Sequence, residues 1–550
     1  MIHMRRVLAL AVAFAAAGGA LAAPAPALVS GRHVEVLQYA HTPGAGPKTK
    51  LRLGHHLQRL GLEVRAFEKL PMLVVFGTSA QVRAASRAPG VLYHHVGDHP
   101  LRFALDRSVP LVFGSSPPAP WAAGFDGRGI TAASVDTGAD GTHPDLVGRI
   151  KANVEFAFDG AGFDNDAQNG PLPGVAITTP CPGPCDSDAF GHGTHVAGTI
   201  AGDGSVPVDP VKGMAPGAQL VVLSISQTGT SLEFYALAGF DYLLAHPELD
   251  VKVVNNSWSV QSGEFDPSNP VNQASKMLHD KGVTMVFAAA NSGPGGAPAT
   301  GQPDGASDCT DGGDCRISLE SVAPWAISVA AGARVTPGPP SSQHLADFSS
   351  RGDPKPHKVK DDLTIDYMPT LTAPGTGIIS ATGGSAAINT LTCGALGDLP
   401  RCLDRTVAQN LFYTAISGTS MATPHVVGAV AVLQGAAKAK MGRYLSPDEV
   451  KALLVAGAQP MPGIDGQYDN CGTDVPTYTG PCGGKIAGTT GKPYARWQVG
   501  AGYLDMAGSL RALDELAHPK PVVKAKKKAK KKKAKKKKKA KKKSRAKKKR

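Results

Sequence analysis

Three short stretches of the chain carry residue types that could together activate a nucleophile. Asp136 closes the apolar run GITAASVD, His192 stands in GHGTHVAGTIAG, and Ser420 stands in GTSMATPHVVGAVAVL. A serine hydroxyl is a weak nucleophile until a base takes its proton, and histidine is the side chain whose ordinary pKa suits that exchange near neutrality. An aspartate bonded to the imidazole fixes its tautomer and stabilises the imidazolium. Each signal is weak alone. Asp at a strand end is often a helix cap, His beside Gly a turn residue, and Ser ahead of a helix an N-cap. Together they are the residue types of acyl transfer.

Such groups need a rigid frame. From Trp121 to about Leu516, GITAASVD, QLVVLSIS, VKVVNNSW and GVTMVFAAA are apolar runs of strand length, with helix-like stretches such as SLEFYALAGFDYLLAHP between them. Strands alternating with helices predict an α/β fold, a parallel doubly wound sheet flanked by helices. Catalytic groups gather at the carboxyl ends of such strands, where several of these runs turn polar. Ahead of this body, HVEVLQY, PMLVVFG and VLYHHV read as strands, and KTKLRLGHHLQRLG and SAQVRAASRA as helices. They predict a small α+β module over residues 23–115, joined to the body by the proline-rich SSPPAP. No internal repeat is visible.

The body resembles the subtilisin-like serine proteases, from Trp121 to about Ser509. Asp136-Thr137-Gly138 is followed by His143-Pro144-Asp145-Leu146. His192 is the first histidine of G-H-G-T-H, and Ser420 lies in G-T-S-M-A-T-P-H. Phe348-Ser349-Ser350-Arg351-Gly352, Ala373-Pro374-Gly375 and Gly500-Ala501-Gly502-Tyr503-Leu504-Asp505 also match. The order Asp, His, Ser is the family's. The resemblance implies a secreted endopeptidase made as a zymogen, with Asp136, His192 and Ser420 as catalytic triad and Asn291 helping to hold the oxyanion. It implies that Ser257, Trp258 and Ser259 line the substrate, and that residues 116–516 form the peptidase domain. The module at 23–115 is then an inhibitor-like propeptide, and the enzyme a monomer acting on proteins or peptides. Two positions depart from the family: Ala290 and Ser259 stand where glycine is usual, and a side chain at either would narrow the first specificity pocket. No cofactor is implied for the chemistry. Calcium is common in the family, but Asp164, Asn165 and Asp166 alone are too few converging ligands, so no metal site is read there.

The ends of the chain carry different information. Arg5 and Arg6 precede an apolar run from Val7 to Ala17 and the small-residue stretch Ala20-Leu21-Ala22, the pattern of a signal peptide over residues 1–22. The run is too short to span a bilayer, which takes about 20 residues. Eight cysteines fall in four close pairs, Cys181/Cys185, Cys309/Cys315, Cys393/Cys402 and Cys471/Cys482. In an exported chain these read as disulfides, with zinc the rival; the spacings fit no usual zinc pattern. The net charge is +14, yet the segment from Lys520 holds 22 basic residues and no acidic one. Without it, 36 basic residues face 44 acidic ones. The basicity is thus a block at residues 517–550, a disordered tail suited to anionic surfaces, rather than a folded nucleic-acid-binding face.

Overall fold

The computed structural model describes residues 33–39, 46–96, 100–102, 105–106, 112, 119–157, 177–206, 210–228, 230–260, 264–293, 317–333, 344–346, 348–353, 355–360, 363–383, 412–461 and 494–519. The signal segment, the Asp164–Asp166 loop, most of SSPPAP, six of the eight cysteines and the tail beyond Pro519 lie outside them.

In the N-terminal module, strand β1 (His33–Tyr39) is followed by helix α1 (Gly46–Arg59), β2 (Glu63–Ala66) and β3 (Met72–Gly77). Helix α2 (Ser79–Ala85) and β4 (Val91–Val96) complete an antiparallel sheet of order β2-β3-β1-β4. Strand β2 has no counterpart in the sequence reading. It is four residues long, and its Glu63 and Arg65 pair with each other at 3.1 Å, which hides the apolar alternation. Strand β3 is buried on both faces, which is why its run is apolar throughout. Leu73 and Val75 pack with Leu53, Leu57 and Val82 of the module, whereas Met72, Val74 and Phe76 join the core of the body. Two short strands follow, β5 (Pro100–Arg102) and β6 (Leu105–Asp106).

The body opens with β7 (Thr131–Asp136), β8 (Ile150–Ala157), β9 (Ile177–Pro180) and helix α3 (His192–Ala201). Then come β10 (Gln219–Ser224), β11 (Thr230–Leu232), α4 (Glu233–Ala245), β12 (Val251–Asn256), α5 (Pro270–Asp280) and β13 (Thr284–Ala288). Strands β14 (Ala326–Ala333) and β15 (His344–Leu345) precede a small hairpin, β16 (His357–Lys358) with β17 (Thr364–Ile365). Strands β18 (Leu371–Pro374), β19 (Ile378–Ala381) and β20 (Tyr413–Ser417) lead to helices α6 (Thr419–Met441), α7 (Pro447–Gly457) and α8 (Met506–Ala517).

Among the described residues the main sheet runs β18-β14-β13-β12-β7-β10-β8, every neighbouring pair parallel, with β15 and β9 added antiparallel. The expected doubly wound α/β architecture is present. Alternation along the strands divides the core: Leu220 and Val222 face one helix layer, Val221 and Leu223 the other. Helices α3 and α6 fill the first side, α4 and α5 the second. Every residue of α6 from Thr419 to Gln434 is buried. A helix surrounded in this way must be small and apolar on all faces, which is what GTSMATPHVVGAVAVL supplies. Strand β7 sits where the chain order reverses, between β10 and β12, and Asp136 is its last residue.

Candidate active site

Asp136 and His192 meet at 2.6 Å, from His192 Nδ1 to Asp136 Oδ1, and both side chains are inaccessible to solvent. Two neighbours fix the pair. The Thr137 backbone N–H donates to Asp136 Oδ1 at 2.7 Å, and the Gly193 N–H donates to Thr137 Oγ1 at 2.7 Å. Burial raises the Asp136 carboxyl above its ordinary value, with His192 and the Thr137 N–H opposing the shift. His192 is the first residue of α3, entered through Gly191 at φ 99°, a left-handed conformation that suits glycine. A side chain at Gly193 would meet the Gly138 carbonyl oxygen at 2.1 Å, so the glycines of the two motifs let the strand end and the helix start touch.

Asp188 is a site residue that the sequence reading missed. Its carboxylate accepts from the Gly191 N–H, the Thr194 N–H and the Thr194 hydroxyl, each at 2.7 Å, and so anchors the turn that presents His192. An acidic residue just ahead of a helix start was the available signal. The loop before it is stapled by the Cys181–Cys185 disulfide, with Cα atoms 6.0 Å apart. The second histidine of the motif, His195, donates through Nε2 to the Ile378 carbonyl at 2.9 Å. Burial holds its pKa down to about 3, so it stays neutral and structural.

Ser420 lies in the first turn of α6, which packs beside α3. N–H groups in a first turn have no carbonyl partner within their own helix, so they point outward as donors. The Ser420 hydroxyl donates to the Ser257 carbonyl at 2.9 Å, and the Ser257 hydroxyl donates to the Ser420 carbonyl at 2.7 Å. Asn291 is brought to the same helix end. Its side-chain oxygen accepts from the Thr419 N–H at 2.8 Å and the Thr419 hydroxyl at 3.1 Å, which leaves the amide NH₂ to serve as a donor.

Ser257, Trp258 and Ser259 continue from the end of β12. The Trp258 side chain is fully buried, donates to the Val135 carbonyl at 3.1 Å and meets the Phe287 ring edge-on at 5.4 Å. It supports the wall from behind, so any substrate contact at this position falls to its backbone. Ser259 is buried, 6% exposed. The segments 257–260, 289–291 and 317–320 are joined by backbone bonds, Ser318 N–H to the Ala289 carbonyl at 2.9 Å and Leu319 N–H to the Val260 carbonyl at 3.1 Å. Ala290 has φ 85°, one of two non-glycine residues with positive φ among those described. A Cβ in that region costs about 1–2 kcal/mol, so the alanine is a strained choice where glycine would be relaxed.

Glu320 lies in the same wall, fully buried and accepting from the Ser318 hydroxyl at 3.1 Å. Burial, and then the nearby Glu233, push its carboxyl up to about 8. A raised carboxyl binds its proton more tightly in the folded chain than in the unfolded one. The resulting stabilisation is complete at acid pH and lost as pH rises through about 8. Glu320→Gln should therefore flatten the fall in urea midpoint between pH 5 and pH 9; a midpoint falling as steeply as in the parent would refute the assignment. Among the described residues no group of three His, Cys, Asp or Glu side chains is arranged to hold a metal ion.

Comparison with known proteins fits this geometry. The profile of the subtilase family matches residues 127–479. The major intracellular serine protease of Bacillus subtilis is 28% identical over 346 residues, covering 62% of this chain and 80% of the relative. Pyrolysin of Pyrococcus furiosus is 30% identical over 311 residues, covering 50% of this chain but 20% of pyrolysin. The crystal structure of fervidolysin from Fervidobacterium pennivorans, a keratinolytic enzyme related to subtilisin, superimposes with a TM-score of 0.54 at 21% identity. That match covers 87% of this chain and 61% of the fervidolysin chain, and it shows the shared fold. With the profile spanning well over half of its length, this chain belongs to the subtilase family of serine-type endopeptidases.

Proposed function

We propose that the protein is a secreted endopeptidase, made as a self-inhibited precursor, which hydrolyses peptide bonds through an acyl-enzyme on Ser420. His192 takes the Ser420 proton and returns it to the leaving amine, while Asp136 orients the ring and balances its charge. The Asn291 amide and the Ser420 N–H donate to the oxyanion. The observation that carries this reading is the buried 2.6 Å contact between His192 and Asp136, at the side of the helix whose first turn holds Ser420. A fluorophosphonate, which reacts with activated serines, tests it. Processed wild type should be labelled and Ser420→Ala should not; processed wild type that resists labelling would overturn the proposal.

The Asn291→Ala variant should lose about 10²–10³ in kcat with little change in KM, because the amide is worth most when charge develops on the carbonyl oxygen. Steady-state kinetics on one peptide check it, and an unchanged kcat would remove Asn291 from the oxyanion hole.

The precursor reading is supported by how the N-terminal module sits on the body. The Asp241 carboxylate on α4 accepts from the backbone N–H groups of Glu68, Lys69 and Leu70, the latter two at 2.6 and 2.9 Å. Tyr93 donates to Asp266 at 2.8 Å, Gln38 to Gln273 at 2.6 Å, and the Phe76 ring meets Phe234 edge-on at 5.8 Å. In this uncut chain His192 is 0% and Ser420 2% exposed.

Export is supported by the basic, apolar and small-residue pattern at the N-terminus and by the paired cysteines. No helix among the described residues is long and apolar enough to cross a membrane. The lysine-rich tail then serves as an electrostatic tether to anionic surfaces. Removing residues 519–550 should abolish salt-sensitive retention on an anionic matrix and leave peptide hydrolysis unchanged. Retention that survives the deletion would end the tether idea.

A further inference from the structure

The segment that continues β12, residues 257–260, has two edges with different neighbours. Backbone groups of successive residues in an extended chain point to opposite edges, so Ser257 and Ser259 share one edge and Trp258 and Val260 the other. The Ser257 carbonyl accepts from the Ser420 hydroxyl at 2.9 Å, which marks its edge as the one facing the nucleophile. The Val260 carbonyl accepts from the Leu319 N–H at 3.1 Å, which marks the other edge as the one resting on the wall at 317–320. The second bonding group of that residue, the Val260 N–H, goes to a side chain: it donates to the Glu320 carboxyl.

Glu320 is 1% exposed and opens a short 3-10 turn that ends at Val322. Its carboxyl also accepts from the Ser318 hydroxyl at 3.1 Å, and the Ser318 N–H donates to the Ala289 carbonyl at 2.9 Å, two residues ahead of Asn291. One side chain thus ties the segment that faces Ser420 to the wall, and through the wall to the chain that carries Asn291. Burying a carboxyl is costly unless its bonds are made, whereas an apolar side chain would fill the same space at no such cost. What the carboxyl adds over an apolar filler is a hold on two specific groups, the Val260 N–H and the Ser318 hydroxyl.

We propose that Glu320 is a positioning residue for the substrate: by holding Val260 and Ser318 together, it sets the Ser257–Ser259 edge where a peptide main chain can pair with it. The assignment rests on the reading of Ser420 as nucleophile, which makes that edge part of the cleft, and it names the side chain that fixes the edge from behind. Glu320 does not touch the reacting atoms; it acts through the backbone of Val260. The hold depends on its proton. Burial, and then Glu233 at the start of α4, push the carboxyl up to about 8, so near neutrality it is an uncharged acid. Beyond Glu233 lies Asp266, which accepts from the Tyr93 hydroxyl at 2.8 Å and pairs with Lys360 at 3.4 Å; Glu233 and Asp266 both act on Tyr93. Once ionised, Glu320 becomes a second buried negative charge facing Glu233. Like charges shielded from water repel strongly, so the wall that carries one is driven from the helix that carries the other, and the edge shifts with it.

Processed enzyme and two substrates test the assignment: a tetrapeptide anilide, whose main chain can pair along the edge, and a single-residue ester, whose main chain is too short to do so. Glu320→Ala should raise KM for the tetrapeptide about tenfold, the worth of about one main-chain hydrogen bond, with a much smaller change in kcat. The rise for the ester should be several times smaller. Glu320→Gln keeps an oxygen for Val260 and Ser318, so it should restore most of the tetrapeptide KM at pH 7. Between pH 7 and pH 9 that KM should climb in the parent and stay level in Glu320→Gln. An equal rise for both substrates would mean general damage to the fold and would overturn the assignment. So would a Glu320→Ala tetrapeptide KM close to the parent's, or a Glu320→Gln profile that climbs with pH as the parent's does. If Glu320→Ala proves unfolded by its melting curve, the pH profiles of the parent and Glu320→Gln decide the matter. Fluorophosphonate labelling separates the two readings. A labelled parent that fails these tests removes the role of Glu320 alone, whereas an unlabelled, inactive parent removes the reading of Ser420 as well.

Discussion

Ser420→Ala will fold, accept peptide in the cleft and hydrolyse it about 10⁶-fold more slowly than the parent. Folding is expected to survive because the change removes one hydroxyl hydrogen bond, to the Ser257 carbonyl, worth about 1 kcal/mol. Chemistry is not expected to survive, since without Oγ no acyl-enzyme forms and the only route left is direct attack by water. Asn291 and the first-turn N–H groups of α6 remain, so a residual acceleration of about 10³–10⁴ over water should persist. On the precursor reading the variant does not cut itself, so the comparison needs material whose N-terminal module has been cleaved in trans by a trace of wild type, with that trace then removed. A loss smaller than about a hundredfold would mean that another group is the nucleophile.

Asp136→Asn should cost about 10⁴ in kcat, with KM nearly unchanged. On the proposed mechanism His192 takes the serine proton, and its positive charge then forms 2.6 Å from the Asp136 oxygen, in a pair buried from solvent. Charge pairs are strongest where water cannot screen them, and a neutral amide does not replace the carboxylate there. The amide brings a second difficulty. Asp136 Oδ2 is buried without a hydrogen-bond partner, so an NH₂ at that position would be an unsatisfied buried donor. If the amide turned to avoid this, its NH₂ would face His192 Nδ1 and force the wrong tautomer. Both arrangements slow the chemical step and leave peptide binding alone. A loss of tenfold or less would show that the imidazolium is stabilised by something other than Asp136.

Much of this was legible before any coordinates. GITAASVD, QLVVLSIS, VKVVNNSW and GVTMVFAAA became β7, β10, β12 and β13 because buried parallel strands leave uninterrupted apolar runs. The glycines around His192 and Ser420 mark places where backbones touch, as the Gly193–Gly138 approach shows. Other features depend on partners remote in the chain and leave no local trace. Strand β5 is three residues long and pairs with residues 230–232; β6 is two residues long and pairs near residue 417. Neither has a periodicity to read. The family resemblance implied a substrate contact at Trp258, but only the core behind it, Phe240 and Phe287, reveals which way the ring turns. Ala290 was visible as a departure from glycine, whereas its strain needed the backbone angle.

The docking of the N-terminal module on helices α4 and α5 would also set the molecularity of any maturation in which the chain cuts itself. On the precursor reading, substrate and nucleophile are parts of one covalent chain, so their effective concentration would be fixed by geometry and would not fall on dilution. The first cut should follow first-order kinetics with a half-time independent of protein concentration. Cutting does not by itself free the enzyme. The severed module is still held through Asp241, Asp266, Gln273 and the Phe76–Phe234 contact, and its departure is a dissociation that dilution favours. The appearance of the new amine and the appearance of activity are then two separate clocks. One is set by chemistry at Ser420, the other by how fast the four-stranded sheet leaves helices α4 and α5.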